Sequence, residues 1–258
     1  MPLIGSLKTL LLRGLLAGLV AGLLAATVGF TIGEPKVEAA IAIEEAASAK
    51  EQAQEPAGHT HGDEEEPLVS RSGQKAGQFL ALGLAGLALG ALFATAAHFA
   101  RRHTALSGPK LALTLGLGGW AAIVAVPFFK YPANPPAVGD PDTINQRTLL
   151  WVAAVLLGFA AVGAGVFVFK LLRNQLETVR LIAGVAAFVL IVAVGYILLP
   201  GIDEVKDDFP ASLLWQFRAA SLAETATLWA ALALGFAALT EFASRGSTPV
   251  SEPVATAG

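Results

Sequence analysis

The amino-acid sequence predicts an all-α, polytopic integral membrane helical bundle of about six transmembrane helices. Three observations carry that expectation. Of the 258 residues, 55% are hydrophobic and only 14% are charged, whereas soluble domains carry about 25% charged residues. Six apolar runs recur, at 8–32, 76–100, 111–129, 148–169, 181–200 and 213–240, each near or above the roughly 20 residues a bilayer-spanning helix needs. These runs are apolar on every face rather than along one stripe, which suits lipid and not a soluble core. The 27 glycines let such helices approach closely.

The first run follows Lys8 and Arg13 and is longer than the 7–15 residues typical of a signal-peptide core. It spaces Gly14, Gly18, Gly22 and Ala26 every four residues, a small-residue face for helix packing. We therefore read it as a retained helix. Basic residues set the orientation. With a cytoplasmic N-terminus, the inner side holds nine bases (Lys8, Arg13, Arg101, Arg102, Lys110, Lys170, Arg173, Arg180, Arg245) against three acids. The outer side then holds eight bases against sixteen acids, and Glu224 lies within the sixth run. Both termini are expected in the cytoplasm, and the protein in the cell (inner) membrane.

Three long segments then face outward: 33–75, 130–147 and 201–212. The first begins "GEPKVEAAIAIEEAASA", with Glu34, Glu38 and Glu45 near one helical face and Val37, Ala40 and Ile41 on another. This pattern predicts a short helix on the membrane surface, or an acidic vestibule that concentrates cations. "GHTHGDEEE", Gly58 to Glu66, follows. His59 and His61 are candidate ligands for cobalt, nickel, copper or zinc, which imidazole suits, and Glu64 to Glu66 can add oxygens; a solvated loop is the plainer reading. In "FFKYPANPPAVGDPDTINQRT", Phe128 to Thr148, four prolines, with Pro127 just before them, predict a stiff loop. Asp142 is expected to cap the fourth helix, and Asn134, Asp140 and Asp142 offer oxygens at a pore mouth. The third segment adds Asp203, Glu204, Asp207 and Asp208, with Phe209 and Trp215 as interface anchors.

Inside the spans the informative residues are few. Glu224 lies along a face with Ser221, Thr225 and Leu228. A carboxylate at mid-bilayer costs about 2.5–3.5 kcal/mol on insertion scales, so it should face the bundle interior and have a partner. It reads equally as a metal-ligating or protonatable site and as a neutral acid bonded to a neighbour. His98, beside Arg101, Arg102 and His103, reads as interfacial. No cysteine is present, which excludes disulfides and thiolate sites. Phosphate-loop, zinc-protease and nucleophile-elbow motifs are missing, and the bases sit where topology needs them. An enzyme or a nucleic-acid binder is not expected.

Taken together, "GEP" at Gly33–Pro35, "LVSR" at Leu68–Arg71, "FFKYPANPPAVGDPDTINQRT" and "LPGIDEVKDDFPASLLWQFRAASLAETATLW" resemble the CbtA family of probable cobalt transporter subunits. The stretch Lys130 to Gly139 is the most specific part, and the resemblance runs over nearly the whole chain. It implies cobalt import for cobalamin synthesis, together with a small single-span partner, CbtB. The family has been described with five spans, against six runs here. The sequence reading is then a membrane subunit of a transition-metal uptake transporter, cobalt being the favoured cargo and nickel or zinc the alternatives. Cations would collect at the acidic face and pass under the Pro-rich loop near Glu224. The alternative is a non-transporting scaffold or assembly partner of a metal importer. No resident cofactor is implied, and homo-oligomerisation is left open.

Overall fold

Backbone hydrogen bonding in lipid must be satisfied within each segment, which leaves helices as the natural solution for runs like these. The computed structural model of the protein describes residues 3–54, 69–139 and 141–245, and every regular element among them is helical. In chain order the α-helices are α1 (Leu7–Val28), α2 (Glu34–Gln54), α3 (Arg71–Ala100), α4 (Gly108–Trp120), α5 (Val126–Lys130), α6 (Ile144–Leu171), α7 (Glu177–Leu198) and α8 (Ala211–Arg245). A π-helical turn, Gly29–Gly33, joins α1 to α2, and another, Ala121–Ala125, joins α4 to α5. Six of the resulting helices are long and apolar enough to cross a membrane. The protein is a multi-pass membrane protein.

Both π turns have one cause. Each is followed by a single residue and then a proline, Pro35 or Pro127. Proline has no N–H, and its ring collides with the carbonyl four residues back. The residue before each proline instead bonds the carbonyl five back: Glu34 donates to Gly29, and Val126 to Ala121. The widened turn absorbs the proline and the helix continues.

The helix therefore does not close at "GEP", and α2 does not lie along the membrane surface. Leu7–Lys50 is one 44-residue rod, about 65 Å long at 1.5 Å per residue. Antiparallel α8 supports the rod along its length, with Ala17 against Gly235, Gly29 against Glu224, and Ala40 in a cluster with Leu214. That cluster also holds Val138 and Phe209, with Ile43 of α2 packed against it, so Ala40 is covered by protein. Glu34 and Glu38 on α2 bond Arg71 and Lys75 at the start of α3, which holds the rod upright.

The small-residue face of α1 finds its partner in α3. Gly14 meets Gly90, Gly18 meets Gly86, and Gly22 meets Leu82, backbone against backbone. This close approach is what glycine at four-residue spacing permits. Leu10, Phe93, Leu232 and Phe236 fill the core of α1, α3, α4 and α8, with the Phe93 and Phe236 rings edge to face at 5.4 Å. Gly158 of α6 sits against the backbone of Ala122 in the second π turn. Outermost is α7, which packs on α6 at Gly165–Gly184 and Gly195–Leu157.

Candidate functional site

The bundle has two chemically different ends. At one, Arg101 donates to the carbonyls of Leu3 (3.2 Å) and Gly5 (2.9 Å), and Lys170 to that of His103 (3.4 Å). This is the basic end. His98 is buried there, 9% exposed, with Nδ1 3.0 Å from an Arg101 guanidinium nitrogen and Nε2 3.2 Å from one of Arg102. A neutral imidazole has one acceptor nitrogen, and two cations facing the ring oppose a third. His98 anchors this end and is no metal ligand in this arrangement.

The other end carries the acids, and many of them are engaged. Besides Glu34 and Glu38, Glu204 is a buried hub whose side chain is 4% exposed. It accepts from Arg147 at 3.1 Å, from the Thr143 hydroxyl, and from the Asn134 amide at 3.5 Å. Asn134 in turn accepts from Arg218 at 2.9 Å, and Arg218 also donates to the carbonyl of Ala133. Arg218 thus turns to the Pro-rich loop rather than to Glu224. Tyr131 donates to Pro200 at 2.7 Å and Lys130 to the carbonyl of Tyr196 at 3.0 Å. Burial raises the Tyr131 phenol above its ordinary pKa. These bonds join the Pro-rich loop and the third segment into one cap. Its tightest turn puts Ala137 at φ 67° and Gly139 at φ 127°.

Beneath this cap lies a cleft of about 560 Å³ between α3, the second π turn, α6 and α8. Its lining is mainly apolar, with Tyr131, Arg147, Thr148, Ser221 and Thr225 as the polar members. Thr225 donates to the Ser221 and Leu222 carbonyls, so its hydroxyl proton is already committed to its own helix.

Glu224 does not line the cleft. It points from the adjacent face of α8 to Gly29 in the first π turn, where Gln78 of α3 also arrives. A Cβ added at Gly29 would lie 2.5 Å from Gln78 Nε2 and 2.9 Å from Glu224 Cδ. Gly29 is in the last turn of the first apolar run and Gln78 in the first turn of the second, so Glu224 stands level with the ends of those two runs. The 35 residues of α8 extend about 52 Å, well beyond the roughly 30 Å bilayer core. The first turns of α8 pack on α2.

Of the other predicted ligands, His59, His61 and Asp140 lie outside the described residues. Asp142 is exposed on the 3₁₀ turn Pro141–Thr143. The N-cap position of α6 belongs to Thr143, whose hydroxyl turns to Glu204 rather than to the helix. Among the described residues no three His, Asp or Glu side chains form a group able to hold a metal. Two residues escaped the sequence reading as functional: Gln78, whose signal was a lone amide in an apolar run, and Glu204 as a hub, hidden among four acids of one segment.

The family comparison settles what kind of chain this is. The CbtA family, described as "Probable cobalt transporter subunit (CbtA)", matches residues 7–241. The chain belongs to the CbtA family. The match spans all six membrane-crossing helices, from the first residue of α1 into the last turns of α8. The family's description makes the chain a transporter subunit, and so implies a partner subunit and a metal substrate. No curated protein and no solved structure matches the chain.

Proposed function

We propose that the chain is the membrane subunit of a cobalt uptake transporter, oriented with its basic end in the cytoplasm and its capped, acidic end outside the inner membrane. The segregation of charge between the two ends of the six-helix bundle carries this reading. Arg101, Lys170 and the bases around them gather at one end, and Glu34, Glu38 and Glu204 at the other. Basic loops stay on the cytoplasmic side. Of the sixteen acids assigned outward, Glu55, Asp63, Glu64, Glu65, Glu66 and Asp140 lie outside the described residues, and the first five flank His59 and His61. That segment supplies most of the excess negative charge and serves as the metal-collecting arm, by field focusing and imidazole ligation. Asp140 and Asp142 would add oxygens at the mouth of the cap. A small CbtB-like single-span subunit completes the transporter.

A second reading, a scaffold that assembles an importer without passing metal itself, has its own support. Glu34, Glu38 and Glu204 are engaged by Arg71, Lys75 and Arg147, so these acids hold architecture. The deciding experiment expresses the chain alone, and with the partner, in a host stripped of its own cobalt importers. Cobalt, nickel and zinc accumulation is then measured. Cobalt above the empty-vector level supports the uptake reading. No accumulation under either condition, with the protein confirmed in the membrane, favours the scaffold.

A further inference from the structure

Glu224 is half-buried where α8 meets α3 and the first π turn, yet no hydrogen bond or ion pair to it occurs among the described residues, and the base a turn and a half before it, Arg218, is held by Ala133 and Asn134. A carboxylate so placed is expected to have a counter-group. The local construction brings a second polar side chain beside it. Gly29 has no side chain where the carboxylate lies, and a Cβ there would overlap both Glu224 and Gln78. The π turn also changes the backbone chemistry. Because the N–H of Glu34 bonds the carbonyl of Gly29, and Pro35 has no N–H, the carbonyl of Phe30 is left without its usual helical donor.

We propose that Glu224 and Gln78, meeting at the α1 π turn, form an oxygen-lined station for the divalent cation, separate from the cleft beneath the cap. The identity of its cargo rests on the uptake reading above. The carboxylate supplies charge, and the carboxamide of Gln78 can turn its oxygen inward. Carbonyls freed where a membrane helix departs from α geometry are a recurrent source of further ligands. Such a set, completed by water, has no imidazole or thiolate and binds cobalt or manganese without trapping either. Weak binding suits a station that must release what it takes. The level of Glu224, with the ends of the first two apolar runs, suits the first step after the metal leaves the collecting arm.

The test has two arms, both on the full chain. Glu224→Gln keeps size and hydrogen-bonding capacity and removes the charge. In the uptake host with the partner present, its cobalt accumulation should fall about tenfold or more at equal membrane level, the effect typical of removing a group that tunes a metal site. In the second arm, purified protein carrying His59→Ala and His61→Ala is titrated with Mn²⁺ and free Mn²⁺ is read by its paramagnetic resonance. One binding event should weaken about tenfold when Glu224→Gln is added. Unchanged Mn²⁺ binding overturns the station, even if uptake falls, because the loss would then be structural. Unchanged uptake with a functioning wild type overturns it as well. If the wild type accumulates no metal, the uptake reading fails on its own, and the Mn²⁺ titration still decides whether the site exists.

Discussion

The seam between α1 and α3 makes a demanding prediction for Gly18→Ala. A Cβ built at Gly18 lies 2.9 Å from the carbonyl carbon of Gly86 and 3.0 Å from Cα of Gly90, and is closer still to the Gly86 oxygen. Carbon atoms rest at about 3.5–4.0 Å, so the two backbones must part by roughly 1 Å. Such a gap forfeits a quarter to a half of the dispersion energy across it; for on the order of 40 atom pairs at 0.1–0.2 kcal/mol each, the loss is about 1–4 kcal/mol. Neighbouring side chains relax into part of the gap, and about 2 kcal/mol is expected, within the range for overpacked sites. Gly163→Ala and Gly77→Ala are the controls, since nothing lies within 4 Å of a Cβ at either position. Alanine there should be neutral or stabilising by up to about 1 kcal/mol through helix propensity. The assay is thermal unfolding of the three variants in detergent, followed by size-exclusion of a fluorescent fusion. If Gly18→Ala melts with the wild type, or Gly163→Ala falls as far as Gly18→Ala, the backbone-contact argument is wrong.

Two further outcomes concern the cap. Glu204→Ala removes the acceptor shared by Arg147, Thr143 and Asn134 and should cost about 1–3 kcal/mol, the range for a lost charge-assisted hydrogen bond. The lower part applies because Arg147 is 39% exposed and regains water. Limited proteolysis in the Pro-rich loop should accelerate in that variant while cleavage elsewhere keeps its rate. At Ala137, φ 67° imposes a left-handed backbone that costs an L-residue roughly 1–2 kcal/mol. Ala137→Gly should therefore raise or preserve the melting temperature, and Ala137→Val should lower it.

The small-residue face Gly14–Gly18–Gly22 was legible because four-residue spacing has one geometric meaning in a helix; its partner, Gly86–Gly90, was not named because pairing is a tertiary choice. Both prolines after the π turns are plain in the sequence. A proline ordinarily ends or kinks a helix, and only the support of α8 along α2 shows why Gly33 is not a terminus. Glu224 was picked out by its charge in an apolar run. Arg218 holds the Ala133 carbonyl and the Asn134 amide oxygen rather than Glu224. The Thr143 hydroxyl at the start of α6 is drawn to Glu204, a partner far along the chain that no local pattern announces.

By itself the sequence determined the solvent, the number of crossings, the segregation of bases from acids and, through its loop motifs, the family. These follow from composition and order, because transfer of each segment into lipid depends on that segment alone. Tertiary structure alone decided that α1 runs unbroken into α2, that Glu204 ties the cap, and that Gln78 and Gly29 meet Glu224 away from the cleft. Each of those depends on which helix faces are brought together, a property of packing between distant segments that no local pattern encodes.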